Sequence, residues 1–152
     1  MIKTHEHFMK LALEEAKKAG QIGEVPIGAV LVAENGEVLS VAYNRTIELA
    51  DPTAHAEVLA LRRASSKICN YRLLNTTLYV TVEPCIMCMG AVVHARVSRL
   101  VFGAPDPKWG AAGSLYDFAR DERLNHRVEV LKGILEEDCR KRMQDFFRAK
   151  RI

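Results

Sequence analysis

Residues 76–104 read TTLYVTVEPCIMCMGAVVHARVSRLVFGA, and this stretch alternates between strand, helix and strand patterns. The β-branched run at 76–82 predicts a short strand. Pro84 suits the first position of a helix, where its missing N–H leaves no hydrogen bond unmade, and the helix is expected to extend to about Arg96. The apolar run at 98–104 predicts the next strand. Such alternation favours an α/β fold with a mixed, mostly parallel sheet.

The flanking segments predict three further strands. Residues 26–33 and 37–43 have strand character, and Asn35-Gly36 between them indicates a hairpin with a type I′ turn. The last strand is expected at about 128–133, so far from the preceding one that a hairpin is unsuitable and a crossover is favoured. The sequence therefore predicts a five-stranded mixed sheet whose last two strands are parallel.

Helices are predicted on both faces of this sheet. Apolar periodicity indicates helices at about 5–20, 54–68 and 136–150, together with a short helix near 115–118. No linker, repeat or low-complexity tract interrupts the pattern. Residues 1–152 are therefore expected to form a single domain.

Composition excludes several classes of protein. The chain has 152 residues, of which 49% are hydrophobic and 27% are charged, and these values are typical of globular proteins. Intrinsically disordered and collagen-like proteins are excluded. No apolar run approaches the roughly 18 residues that a membrane span needs, and the N-terminus has no apolar signal core. We expect a cytoplasmic protein without membrane association.

The net charge of +3 is unevenly distributed. Residues 138–152 hold six basic and two acidic residues, whereas the remainder of the chain carries a charge of −1. A basic terminal helix can contact phosphate groups, but on charge alone an ordinary solvated helix end is the favoured interpretation.

Four cysteines divide into two kinds. Cys69 and Cys139 stand alone and are expected to be small buried side chains, because a disulfide framework is improbable without secretion. Cys85 and Cys88 form a C-x-x-C pair at the start of a predicted helix, with spacing that allows both sulfurs to bind one ion. The helix dipole there favours thiolates, which are the form that binds metal.

His55 supplies a third potential ligand, in the sequence His55-Ala56-Glu57. Its helix and the Cys85–Cys88 helix are both expected to begin at the carboxyl edge of the sheet. Three protein ligands, with His94 and His126 outside any ligand spacing, indicate a catalytic rather than a structural zinc site. Glu57 is then placed to act as the general base. The H-x-E…P-C-x-x-C pattern is typical of zinc-dependent nucleobase deaminases.

Four longer segments extend this similarity over nearly the whole chain. They are DPTAHAE (51–57), LYVTVEPCIMCMGA (78–91), VFGAPDPKWGAAGSL (101–115) and NHRVEV (125–130). Together they resemble the bacterial family of tRNA-specific adenosine deaminases. The zinc motifs are shared by many deaminases, whereas the GAAGSL and NHRV segments are more particular to this family.

The resemblance implies a cytidine-deaminase-like three-layer α/β/α sandwich and a homodimer. It implies that the wobble adenosine in the anticodon loop of an arginine tRNA is hydrolysed to inosine, with attack of zinc hydroxide on C6 and release of ammonia. His55, Cys85 and Cys88 would bind one zinc ion per chain, and Glu57 would move the protons.

The same resemblance implies a set of contacts with the anticodon stem-loop. Asn44 would bind the flipped base, while Asp106, Lys108 and Arg148 would contact the loop around it. Pro105 and Pro107, which flank Asp106, depart from the family pattern and stiffen this segment. For Trp109, the only tryptophan, packing or a dimer interface is favoured over stacking on a base.

Two alternative functions remain at this level. The same zinc core could deaminate guanine, cytosine or a free nucleoside. Alternatively, the chain could be a non-catalytic RNA-binding module that zinc stabilises. The basic terminal helix and the GAAGSL and NHRV segments favour the tRNA enzyme over a small-molecule deaminase.

Overall fold

Five strands form one mixed sheet in the computed structural model, which describes residues 3–150. They are β1 (Gly28–Val32), β2 (Val38–Tyr43), β3 (Thr77–Val82), β4 (Arg99–Ala104) and β5 (Glu129–Lys132), in the spatial order β2-β1-β3-β4-β5. β1 pairs antiparallel with β2 and β3, whereas β3, β4 and β5 are parallel. The prediction of five strands with the last two parallel is confirmed.

Four helices cover the two faces of the sheet. They are α1 (His5–Gln21), α2 (Ala56–Ile68), α3 (Ile86–Ala95) and α4 (Glu136–Lys150). Neighbouring residues of β4 show how the faces divide: Leu100 and Phe102 belong to the apolar cluster that contains residues of α2 and α3, whereas Val101 belongs to the cluster that contains residues of α1 and Cys139 of α4. This alternation produces two apolar cores, one on each side of the sheet. The α/β/α sandwich is therefore confirmed.

The carboxyl ends of the parallel strands define the edge at which the site is built. Val82 pairs with Ala104, and the antiparallel register brings the start of β1 and the end of β2 to the same level. Helices α2 and α3 begin beside this edge, because each follows a loop that leaves it. We call it the carboxyl edge. Among the described residues, no helix combines the length and apolar character that crossing a membrane requires.

Two predictions of local secondary structure, the type I′ turn and the helix at 115–118, are wrong. The turn between β1 and β2 spans residues 33–36, and the Gly36 N–H donates to the Ala33 carbonyl oxygen over 2.9 Å. Gly36 alone has positive φ, at 89°, whereas a type I′ turn needs two such residues. The expected helix at 115–118 is instead a tight turn, in which Gly113 at φ 131° donates to the Tyr116 carbonyl oxygen over 2.8 Å.

The isolated cysteines have different environments. Cys139 is buried beneath the sheet, as predicted, and lies so close to Gly103 that a side chain there would collide with its sulfur. Cys69 is exposed, which contradicts the prediction of burial. It ends α2 in the left-handed conformation with φ 56°, so its position reflects helix termination rather than packing.

Candidate metal centre and active site

His55, Cys85 and Cys88 meet at the carboxyl edge. The Nδ1 atom of His55 lies 3.7 Å from Cys85 Sγ and 3.4 Å from Cys88 Sγ. A tetrahedral zinc ion with ordinary Zn–N and Zn–S bond lengths separates nitrogen and sulfur ligands by about 3.6 Å. The three side chains therefore match the spacing of a zinc site.

Helix starts position these ligands. His55 and Cys85 are the N-cap residues of α2 and α3, and Cys88 lies in the first turn of α3. Neither N-cap side chain makes a capping hydrogen bond, so both remain available to an ion. Pro84 precedes the N-cap rather than occupying the first helical position, which corrects the sequence prediction. Its fixed backbone still leads β3 directly into the ligand-bearing turn.

Asn44 makes the N-terminal capping hydrogen bond of α2 that the side chain of His55 does not make. Its side-chain Oδ1 accepts a hydrogen bond of 3.1 Å from the Ala56 N–H, the first of α2. Asn44 follows β2 directly and is buried. It therefore links the end of β2 to the start of the helix that carries His55 and Glu57.

The protonation states of the triad suit a cation. The hydrogen bond from Cys88 lowers the pKa of Cys85 to about 4, and the His55 ring adds to this effect. The same hydrogen bond, together with burial, raises the pKa of Cys88. The interaction with Cys85 raises the pKa of His55. A divalent cation would replace the proton shared in this cluster, because ligation requires both cysteines as thiolates.

The triad has no fourth protein ligand within residues 3–150. His94 is exposed at the far end of α3, and His126 Nε2 contacts the Val97 carbonyl oxygen over 2.7 Å. Both observations agree with the prediction that neither histidine is a ligand. Three protein ligands leave one coordination position open, as catalytic zinc sites do.

Glu57 lies beside the triad as a buried carboxylate with one unpartnered oxygen. Its side chain is only 3% exposed, and its Oε1 atom has no hydrogen-bond partner. Burial raises the pKa of Glu57 to about 7. A buried polar atom without a partner is uncommon in proteins, and a carboxyl group that titrates near neutral pH is suited to proton transfer.

A cavity of about 870 Å³ opens onto these residues. His55, Glu57 and Cys85 line it together with Asn44, Asp106 and Lys108, so the fold brings six predicted site residues to one cavity. Cys88 is buried behind them. A larger groove of about 1210 Å³ lies at the opposite edge of the sheet and contains none of the triad.

Comparison with known proteins agrees with this geometry. Residues 2–104 match the profile of the cytidine and deoxycytidylate deaminase zinc-binding region. The chain belongs to this deaminase family. The match includes His55, Glu57, Cys85 and Cys88, so the zinc centre and the enzyme class follow from both the family and the arrangement of side chains.

Relatives of known function are similar over nearly the whole chain. The tRNA-specific adenosine deaminase of Haemophilus influenzae is 51% identical over 96% of this chain and 84% of its own length. That of Bacillus subtilis is 50% identical over 96% of this chain and 90% of its own length.

Solved structures of deaminases have a similar fold. A structure from a study of A-to-I editing by tRNA:A34 deaminases at the wobble position of transfer RNA superimposes with a TM-score of 0.86 and 46% identity, covering 90% of this chain and 98% of its own. The guanine deaminase of Bacillus subtilis superimposes with a TM-score of 0.66 and 31% identity, covering 98% and 94%.

Helix α4 forms one wall of the deaminase cavity. Arg140, Met143, Gln144 and Phe147 line the cavity, whereas Arg148 lies outside it and approaches Asp145 at 3.8 Å. Because α4 begins at Glu136, it holds five basic and four acidic residues, and Arg140 pairs with Glu136 and Glu137. The net charge of α4 is thus less positive than that of residues 138–152, on which the sequence prediction was based. Arg151 lies outside the described residues.

The sequence did not predict two buried glutamates of the deaminase that accept hydrogen bonds from loops. Glu24 accepts hydrogen bonds from the N–H groups of Ile47 and Glu48, which organises the loop after β2. Glu83 accepts bonds from the loop after β4. Each is a single acidic residue between apolar neighbours, in Gly23-Glu24-Val25 and Val82-Glu83-Pro84, and this is the signal that could have identified them.

The metal assignment predicts a specific loss of zinc. The Cys88→Ala variant of the deaminase should lose most of its bound zinc, because two remaining ligands cannot hold the ion tightly. Cys69→Ser is the control, since Cys69 lies outside the triad and should leave about one zinc ion per chain. Zinc is measured by elemental analysis after dialysis. Full occupancy in Cys88→Ala would contradict the assignment.

Proposed function

We propose that the chain is a tRNA adenosine deaminase that hydrolyses the wobble adenosine of an arginine tRNA to inosine. The observation that carries deamination is the buried, unpartnered Oε1 atom of Glu57 beside the three-ligand metal site. The RNA substrate is supported by relatives that are about half identical over almost the entire chain. An enzyme acting on tRNA is expected in the cytoplasm.

The site's own residues divide the chemistry among them. His55, Cys85 and Cys88 would hold a zinc ion, which would supply Lewis acidity that lowers the pKa of water to about 7. Glu57 Oε1 takes a proton from the attacking water and delivers it to N1 of adenine. The same carboxyl group then takes the second proton of that water, from the new hydroxyl group on C6, and passes it to the amino group, which leaves as ammonia as the C6 carbonyl group forms. Burial suits Glu57 to this role, because it brings its pKa close to the operating pH.

The target base must leave the RNA stack to reach Glu57. The cavity is open on one side, so a nucleotide that is extruded from a loop can enter it while the RNA stays outside. Asn44 lies at the cavity wall with its side chain fixed by the start of α2. We assign it to orienting the base, and Asp106, Lys108 and Arg148 to the RNA around it.

Substrate comparison tests the proposed function. The wild-type enzyme should convert one adenosine in an anticodon stem-loop of arginine tRNA, detected by sequencing as an A-to-G change, and should leave free adenosine and guanine almost unchanged. Glu57→Gln should lower the rate by about a hundredfold or more while zinc is retained. Efficient guanine turnover would instead favour the activity of the guanine deaminases that share this fold.

The assignment of Arg148 predicts a change in the salt dependence of binding. If Arg148 contacts a phosphate group, Arg148→Ala should weaken binding of the stem-loop and reduce the slope of log Kobs against log salt by about one. Lys67→Ala is a matched control, because Lys67 is an exposed cation in the last turn of α2, away from the carboxyl edge. Equal slopes for the two variants would contradict the Arg148 contact.

Helix α3 presents a surface that suits a second copy of the chain. Ile86–Ala95 contain no Asp, Glu, Lys or Arg, yet Ile86 is 51% exposed and a Cβ atom at Gly90 would meet nothing within 4 Å. Ile86 and Gly90 also line a cleft of about 340 Å³ with Phe118 and Leu124. A solvated helix face normally carries charge, so we infer that this apolar surface is the homodimer interface.

A bulky charge at Gly90 should therefore disrupt the dimer. The wild-type protein is expected to sediment at twice its chain mass of 17.0 kDa, and Gly90→Arg at the mass of one chain. Ser66→Arg, on an exposed position of α2, is the control and should remain dimeric. A dimeric Gly90→Arg protein in analytical ultracentrifugation would contradict this interface.

A further inference from the structure

Glu83 is a buried carboxylate around which the loop after β4 is folded. Its side chain is 3% exposed and it follows β3 directly. Its Oε1 atom accepts a hydrogen bond of 3.0 Å from the Asp106 N–H, and its Oε2 atom accepts bonds of 3.0 Å from the N–H groups of Ala112 and Ser114. The Ser114 hydroxyl group also donates to Oε1. One carboxylate therefore satisfies four donors of a single loop, residues 105–114, which we call the 105–114 loop.

Backbone contacts join the same loop to the metal-binding segment. The Glu83 N–H donates to the Ala104 carbonyl oxygen over 2.9 Å, and the Ala111 N–H donates to the Pro84 carbonyl oxygen over 2.8 Å. Gly110 lies against the carboxylate, because a Cβ atom there would approach its atoms to 2.3–2.5 Å. The loop is thus fitted closely around Glu83, immediately before the ligand Cys85.

Asp106, which Glu83 binds, in turn holds Lys108 and Trp109 of the 105–114 loop by hydrogen bonds. Asp106 Oδ1 accepts bonds from the N–H groups of Lys108 at 3.1 Å and Trp109 at 3.3 Å. Both residues line the cavity that contains Glu57. The Trp109 side chain is nonetheless 68% exposed in the single chain, so it does not pack into the protein's own core, whereas a place in a dimer interface stays a prediction. A large aromatic side chain beside a cation at the rim of the cavity is suited to stacking on a nucleobase next to a phosphate.

We propose that Glu83 is a positioning residue for the RNA substrate, which holds the 105–114 loop so that Lys108 and Trp109 face the nucleotides beside the base in the cavity. This inference rests on the proposed function and deepens it. Glu83 acts on substrate capture and does not touch the reacting atoms. Its loss should therefore raise KM, whereas Glu57 and the metal ligands should sustain kcat.

The Glu83→Gln variant removes one part of this arrangement selectively. In the more favourable orientation, the amide oxygen replaces Oε2 and keeps the two N–H donors of Ala112 and Ser114. The amide nitrogen then replaces Oε1, where the Ser114 hydroxyl group can turn to accept from it, but the Asp106 N–H loses its acceptor. The substitution therefore frees Asp106, and with it Lys108 and Trp109.

Kinetics and fluorescence test the proposal together. Glu83→Gln should raise KM for the anticodon stem-loop about tenfold, as expected for one lost hydrogen bond to a charged group, with kcat and zinc content almost unchanged. Because Trp109 is the only tryptophan, time-resolved fluorescence anisotropy reports directly on the loop. It should show faster local motion in the variant, and stem-loop RNA should quench the wild-type fluorescence more strongly.

Two glycine variants provide an independent test. Gly110→Ala drives a methyl group against the carboxylate and should reproduce the higher KM and the faster motion of Trp109. Gly20→Ala, where the new Cβ atom meets Pro26 at an ordinary 3.6 Å, should behave as wild type. Unchanged KM in both Glu83→Gln and Gly110→Ala, or a loss of kcat at constant KM, would overturn the proposal. A wild-type protein that leaves the stem-loop unconverted contradicts the proposed function instead.

Discussion

The parallel pairing of β3 with β4 is the interaction on which the whole site depends. It sets Val82 opposite Ala104, so the chain leaves both strands at the same level of the carboxyl edge. The segment after β3 carries Cys85 and Cys88, and the segment after β4 carries Asp106 and Lys108. Metal ligands and the cavity rim therefore become neighbours through backbone hydrogen bonds alone, before any side chain contributes.

Buried carboxylates show how the fold separates structure from chemistry. Glu24 and Glu83 are both nearly inaccessible, and each accepts several hydrogen bonds from a loop. Glu57 is equally buried, but Oε1 has no partner. Burying a polar atom without a hydrogen bond costs free energy, so a buried carboxylate with an unpartnered oxygen is usually retained for a function. Among these three glutamates, the unpartnered oxygen is what distinguishes Glu57, to which we assign proton transfer.

Sequence reasoning succeeded where the signal is local. Apolar periodicity predicted all four helices and all five strands to within a few residues, and the types and spacing of His55, Cys85 and Cys88 predicted their meeting. It failed where a contact depends on how a loop folds back. The bonds of Glu83 join residues more than 20 positions apart, and the face that α4 presents to the cavity depends on its packing against the sheet. The helix expected at 115–118 failed for the same reason, because a glycine turn and a bridge to Ala112 override its local preference.

The capping bond of Asn44 limits what this residue can recognise. Its side-chain oxygen already accepts from the Ala56 N–H, so one lone pair and the two amide hydrogens remain to meet a base. Such a donor needs an acceptor on the substrate, and the ring nitrogens N3 and N7 offer one in every purine. Because the capping bond fixes the direction of these groups, Asn44 would orient a purine in the proposed complex. Under the proposed function, the choice between adenine and guanine would then depend on groups that meet the six-membered ring at its exocyclic substituents.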